Sequence, residues 1–258
     1  MYLAMSIAAT GVRHQMRRID SIANNVANAN TVGYKNSRLD FKDALYTTGI
    51  TPGLPRTPEG NQQKGHGLMI TAITRDFKPG SMERTNNPLD FAIENEGFFA
   101  FEDPSGGVLY GRSGAFSLSV EAGGTFLVNG EGLYVLNENE ERIAIPLGIT
   151  QIIGDVDGTL RFMAGDTEVG RDNIGIFTFR NLHGLAAAGN STFTQTDAAG
   201  VRLPADKAIL RQGVLEISNI NLAEEMTRVI RTQRAFQLAS RALTTADEME
   251  GIANNMRR

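Results

Sequence analysis

All eight prolines of this 258-residue chain, and 25 of its 28 glycines, lie between residues 41 and 217. Proline lacks a backbone donor and glycine loses most entropy on ordering, so both are poor in helix interiors and gather where a chain turns. The partition predicts uninterrupted helix at both ends and a strand-and-turn body between them. Charge divides the same way: within an overall net charge of -4, the centre holds 14 basic against 22 acidic side chains. Such a chain is not built to coat phosphates, so no nucleic-acid partner is expected. With no cysteine, disulfides, thiolate metal sites and thiol nucleophiles are excluded. The start, MYLAMSIAATGVRHQMRR, has no basic segment before an apolar core, so no cleavable signal peptide is read there. Export would leave this end in place.

At the N-terminal end, Tyr2, Met5, Ala9, Val12, Met16, Ile19, Ala23 and Val26 follow at spacings of three and four, the seam of a coiled coil. Arg13, Arg17, Arg18 and Asp20 fall off it, and the pattern stops at Asn28–Gly33. At the C-terminal end, Asn221 is placed to cap a helix, with Glu224 three residues on as in a capping box. Leu222, Met226, Val229, Phe236 and Leu243 then line one side, widened by a row of alanines. Two amphipathic helices packed only within the chain are one reading. Polymerisation is the sharper one, because these Ala- and Met-rich seams bury little area per turn and their apolar face is wider than one partner needs. The candidate self-assembly residues are Val12, Met16, Ile19, Ala23, Val26, Met226, Val229, Phe236 and Leu243.

Residues 31–85 carry too many breakers for a long element. An extended arm is expected there, with a short strand at Leu68–Thr74. From about residue 88 the sequence reads as β. Phe91–Phe101 alternates in part, Val108–Leu118 and Thr125–Leu136 are rich in β-formers, and Asn129-Gly130 and Asp157-Gly158 signal hairpins. Ile174–Phe179 and the region of Phe193 add strands. The expected fold is α+β: terminal helices forming a coiled-coil-like domain (residues 1–36 with 218–258), an extended linker (37–86), and a central all-β antiparallel barrel or sandwich (87–217).

Catalytic chemistry finds no foothold. His14, His66 and His183 share no ligand spacing, so no metal is expected. GRSGAF at Gly111–Phe116 has the wrong spacing for a nucleophile elbow, and GHGLMI from Gly65 lacks the strand–helix context of a dinucleotide site. Asp155 and Asp157 flank a hairpin turn and read as turn residues. Glu138, Glu140 and Glu141 read as a solvated loop. The expectation is a non-enzyme with no cofactor and no small-molecule substrate.

Four stretches carry a family resemblance. SIANNVANANTVGYKNSR (Ser21–Arg38), NPLDFAIENEGFFAF (Asn87–Phe101), LYGRSGAFSL (Leu109–Leu118) and the segment from Leu210 to Met249 with its TQRAF resemble, in order, the signatures of bacterial flagellar rod and hook proteins. The stretch Phe41–Leu68 resembles one that marks the distal-rod members. Gly111 stands where threonine is usual in that family. The resemblance implies a structural subunit of the basal-body rod, exported through the flagellar type III apparatus to the periplasm or cell wall. There it joins copies of itself and other rod and hook proteins in a tubular shaft that carries torque. It also implies terminal helices in the tube wall with the β domain outside. A proximal rod subunit and a monomeric β-rich binding module are the other readings.

Overall fold

A computed structural model describes residues 2–44, 47–49, 62–65, 67–205 and 208–256. It is an α+β protein with one long helix near each end, α1 (Tyr2–Ala27) and α2 (Leu222–Asn255), and antiparallel strands between. The chain divides into two compact units. One comprises residues 1–27, 37–74 and 221–258; the other comprises 28–36 and 75–220. His66 and much of the Phe41–Leu68 arm lie outside the described residues.

In the first unit α1 and α2 pack on each other. The approach is close where both are small: a Cβ at Gly11 would touch the Cβ of Ala239 at 3.9 Å. Asn221 caps α2, its side chain accepting from the backbone N–H groups of Ala223 and Glu224. The reciprocal half of the expected capping box is replaced, because Glu224 turns to Arg228, one turn on, at 2.6 Å. An i,i+4 pair in this orientation also stabilises the first turns. The strand Ser37–Asp43 pairs with Leu68–Arg75, close to the strand expected at Leu68–Thr74. Among the described residues no helix is long and apolar enough to cross a membrane.

The second unit follows from period-2 alternation. In the strand Phe98–Glu102, Phe98 and Ala100 enter one apolar cluster while Phe99 and Phe101 enter another. Leu109 and Tyr110 divide likewise, as do Ile176 and its neighbour Phe177. These strands are therefore central in a six-stranded antiparallel sheet, ordered Ala186–Gly189, Thr192–Thr194, Val108–Gly111, Phe98–Glu102, Ile176–Phe179, Arg202–Pro204. One cluster is closed by Phe116, Leu127, Ile145, Ile152, Leu160 and Phe162 from two three-stranded sheets. The other is closed by edge-to-face rings such as Phe77 on Phe98 and Tyr110 on Phe179. Each such side chain taken from water stabilises by about 1.5–3 kcal/mol. The layers are open sheets sharing a core, as in a sandwich. Both hairpin signals are realised: Asn129 accepts from the N–H groups of Glu131 and Leu133, and Asp157 accepts from Thr159 before a Gly158 at φ +95°.

Candidate assembly interface and its anchor

The segment after α1 and the segment before α2 are both anchored in the β unit, at one buried cluster of charges. Val214–Glu216 pairs with Met82–Arg84, which carries Glu216 inward. Its carboxylate accepts from Lys35 Nζ at 2.6 Å, from Gly80 N–H at 2.8 Å and from Arg112 Nη1 at 3.1 Å. All three charged side chains are at most 3% exposed. Backbone carbonyls take further donors, while the Arg112 Nε–H is buried without a partner. Lys35 Nζ reaches the Lys78 carbonyl at 2.7 Å, and Arg112 donates to the carbonyls of Ile93 and Asn95 at 2.9 and 2.7 Å. Burial strips water from the Lys35 ammonium and pushes its pKa below the ordinary 10.5, against the opposing pull of Glu216; the adjacent Arg112 adds to the lowering. Arg112 is lowered by burial too.

Backbone geometry completes the anchor. Gly33 N–H donates to the Glu216 carbonyl at 2.8 Å. Gly33 has φ +69°, and a Cβ there would lie 2.5 Å from the Ser113 nitrogen and 2.6 Å from the Arg112 carbonyl carbon, so only glycine fits. Asn219 bridges the same region, accepting from Asn36 N–H at 2.8 Å and donating to the carbonyls of Asp76 and Lys78. Within the helical unit, buried Asn25 closes the loop after α1 by donating to the Ser37 carbonyl at 2.8 Å and accepting from its N–H. The motif stretches TVGYK, FAIEN, YGRSGAF and VLEISN thus meet at one point. Sequence reading did not single out Lys35, Arg112 or Glu216. The available signal was a charge embedded among glycine, aromatic and β-branched neighbours, where a solvated residue is not expected.

All nine expected assembly residues lie on the two helices. Val12, Ile19 and Val26 are half-buried on α1, whereas Ala23 is exposed and Met16 is 49% exposed. Ile22, off the expected seam, is buried. The stripe therefore borders the face α1 buries and is not centred on it. On α2, Val229, Phe236 and Leu243 are half-buried on the side that also buries Glu225 and Thr232. Met226 is exposed, as are Leu222, Ile230, Leu238, Met249, Ile252 and Met256.

Several of the polar groups weighed for chemistry have partners within the fold. Asp155 pairs with Arg161 at 2.7 Å, Glu140 pairs with Arg202, His14 packs edge-on against Phe41, and the His183 ring lies 6.3 Å from that of Phe77. Among the described residues no three of His, Asp or Glu gather as metal ligands.

Three family models match the chain: flagella basal body rod protein at residues 5–35, flagellar hook protein FlgE/F/G D1 domain at 92–162, and flagellar basal body rod FlgEFG protein C-terminal at 211–256. Full-length relatives are similar throughout. The flagellar basal-body rod protein FlgG of Borreliella burgdorferi is 38% identical, with all of both chains covered. That of Agrobacterium fabrum is 36% identical, covering 97% of this chain and 98% of the relative. That of Bacillus subtilis is 34% identical over 96% and 97%.

Proposed function

This chain belongs to the family of flagellar basal-body rod proteins, and on that footing we propose that it is a self-assembling, distal-type subunit of the rod's tubular shaft. It is a structural subunit of the basal-body rod. In the proposed mechanism the β unit is the preformed part and the two helices are the assembling part. Addition at a growing tip covers the apolar side chains that α2 leaves in water. The ordering of both ends is completed at that step, which lowers net affinity per contact but permits a large interface. The repeated contact is heterologous and does not close within one level, so it builds a filament. The candidate self-assembly residues supply lateral and axial packing, the Phe41–Leu68 arm locks neighbours, and the finished tube carries torque to the hook. Delivery of the subunit is assigned to the flagellar type III export apparatus.

The observation that carries this reading is the exposed apolar row of α2, from Leu222 to Met256, on a chain similar along its whole length to FlgG proteins. Electron microscopy of the purified full chain at high concentration tests it. Tubes of uniform diameter are expected, and deletion of residues 218–258 abolishes them. A chain that stays monomeric at every concentration, and fails to restore swimming to a bacterium lacking its own distal rod subunit, defeats the proposal.

A further inference from the structure

The two helices of the first unit differ in length, and the longer one is left uncovered at its far end. Gly11 of α1 meets Ala239 of α2. Buried Ile22 and Asn25 lie late in α1, while buried Glu225 and Thr232 lie early in α2, and an antiparallel pair sets these levels side by side. From Gly11 back to Tyr2, the first residue of α1, the chain runs 9 residues; from Ala239 on to Asn255, the last of α2, it runs 16. α2 therefore passes Tyr2 by 7 residues, about 10 Å. This overhang carries Met249, Ile252 and, at the C-cap, Met256, all exposed. At about 100° per residue the three fall within an arc of about 60°.

The opposite end of α2 has a second exposed row, Leu222, Met226 and Ile230, one turn apart and about 110° round the helix from the first. Charge divides between the two ends. Arg231 and Arg234 follow the second row, whereas Asp247 and Glu248 lead into the overhang and Glu250 lies in it. None of these five has an ion-pair partner among the described residues; Arg257 and Arg258, beyond the overhang, lie outside them. One end of α2 thus offers an apolar row with free carboxylates, and the other an apolar row with free guanidinium groups. Two different surfaces at two ends are what a repeated heterologous contact requires, since every copy then uses each surface once. Overhang on overhang sets carboxylates beside carboxylates, and like-charge rejection disfavours it. The inference rests on the assembly reading above and names its partner surface. We propose that Met249, Ile252 and Met256 of one copy dock on Leu222, Met226 and Ile230 of a second copy, end to end along the shaft. The negative end of one α2 dipole then approaches the positive end of the next.

The test sets folding against assembly. Deleting residues 249–258 removes the overhang. It should leave the thermal midpoint of the free subunit unchanged, because α1 does not reach that stretch, while raising the protein concentration at which sedimentable tubes form by ~10-fold or more. In the full chain, Ile252→Asp and Met226→Asp, both at exposed positions, should raise that concentration likewise. A deletion that lowers the midpoint by several degrees shows the overhang packed within its own chain and overturns the inference. Assembly at the parent concentration by any of the three variants overturns it too. Either result leaves the assembly reading standing, whereas a parent that never forms tubes overturns both. A second measurement uses the absence of native cysteine. Positions 226 and 252 lie ~39 Å apart along α2, beyond the reach of a short bismaleimide. In tubes of the Met226→Cys plus Ile252→Cys variant, a ladder of covalent oligomers therefore reports the overhang of one copy on the next. Tubes that give no ladder, covalent dimers from Ile252→Cys alone, or a ladder from Met16→Cys plus Ile252→Cys instead each overturn the proposed pairing.

Discussion

Glu216 is one carboxylate holding two buried cations, and its removal leaves both unpaired. Replacing Glu216 by Gln keeps the shape and deletes the charge. Breaking a buried ion pair this way costs about 3–5 kcal/mol, so the urea midpoint of the β unit should fall sharply with little change in slope. A midpoint within error of the parent would show the cluster to be energetically idle. Lys35 adds a pH signature. Its folded-state pKa lies below the ordinary 10.5, so in that window the folded chain binds fewer protons than the unfolded one. The Lys35 contribution therefore becomes more favourable to folding as pH rises through the folded-state pKa toward 10.5. Lys35→Met abolishes this increment. The stability of the parent relative to the variant should grow between neutral pH and pH 10.5; a flat or opposite difference refutes the assignment. These residues were poorly legible in the sequence because nothing along the chain says that positions 35, 112 and 216 meet. Burial of a charge is a property of the tertiary pairing between Val214–Glu216 and Met82–Arg84.

Elements were far easier to read, since their signals are local. Proline and glycine punctuation isolated α1 and α2, and Asn221 marked the start of α2 to the residue. That cap satisfies two otherwise orphaned N–H groups. Asn221→Ala should cost about 1 kcal/mol and speed hydrogen exchange at Ala223, Glu224 and Glu225 before any change deeper in α2. Uniform exchange along the helix would mean that the cap does not limit fraying. The hairpins at Asn129 and Asp157 were legible for the same reason, as each uses a side-chain acceptor and a glycine at a left-handed φ within a few residues. Sheet order was not. That Phe98–Glu102, next to Val108–Gly111 in a local hairpin, also pairs with Ile176–Phe179 depends on a contact across more than 70 residues, and its run of Phe98 to Phe101 hides two alternating faces inside one continuous apolar stretch. The heptad of α1 was legible as a pattern, yet burial of Ile22 and exposure of Met16 show that a stripe in sequence does not say which neighbour it faces.

At the scale of the whole molecule, the two units differ in how much of their apolar surface the single chain covers. The β unit buries Phe91, Phe99 and Phe101 at 0% exposure, whereas α2 leaves Leu238 at 66%, and Met256 at its C-cap is 81% exposed. Local stability follows such coverage: segments with few buried apolar contacts open at low free energy, while those in a closed core open only with global unfolding. In the free subunit, limited proteolysis should therefore cut first within α1 and α2, and spare a fragment containing residues 75–220. In the assembled tube the same sites should resist, with cleavage slowed by ~10-fold or more if each copy gains even ~1.4 kcal/mol of protection from its neighbours. The comparison is made at equal protease and equal protein mass, so that assembly is the only variable. Equal rates in tube and subunit would place the helices outside the contact. Resistance of both ends in the free subunit would mean that intrachain packing of α1 on α2 is sufficient, and that neighbours join helices already stable by themselves.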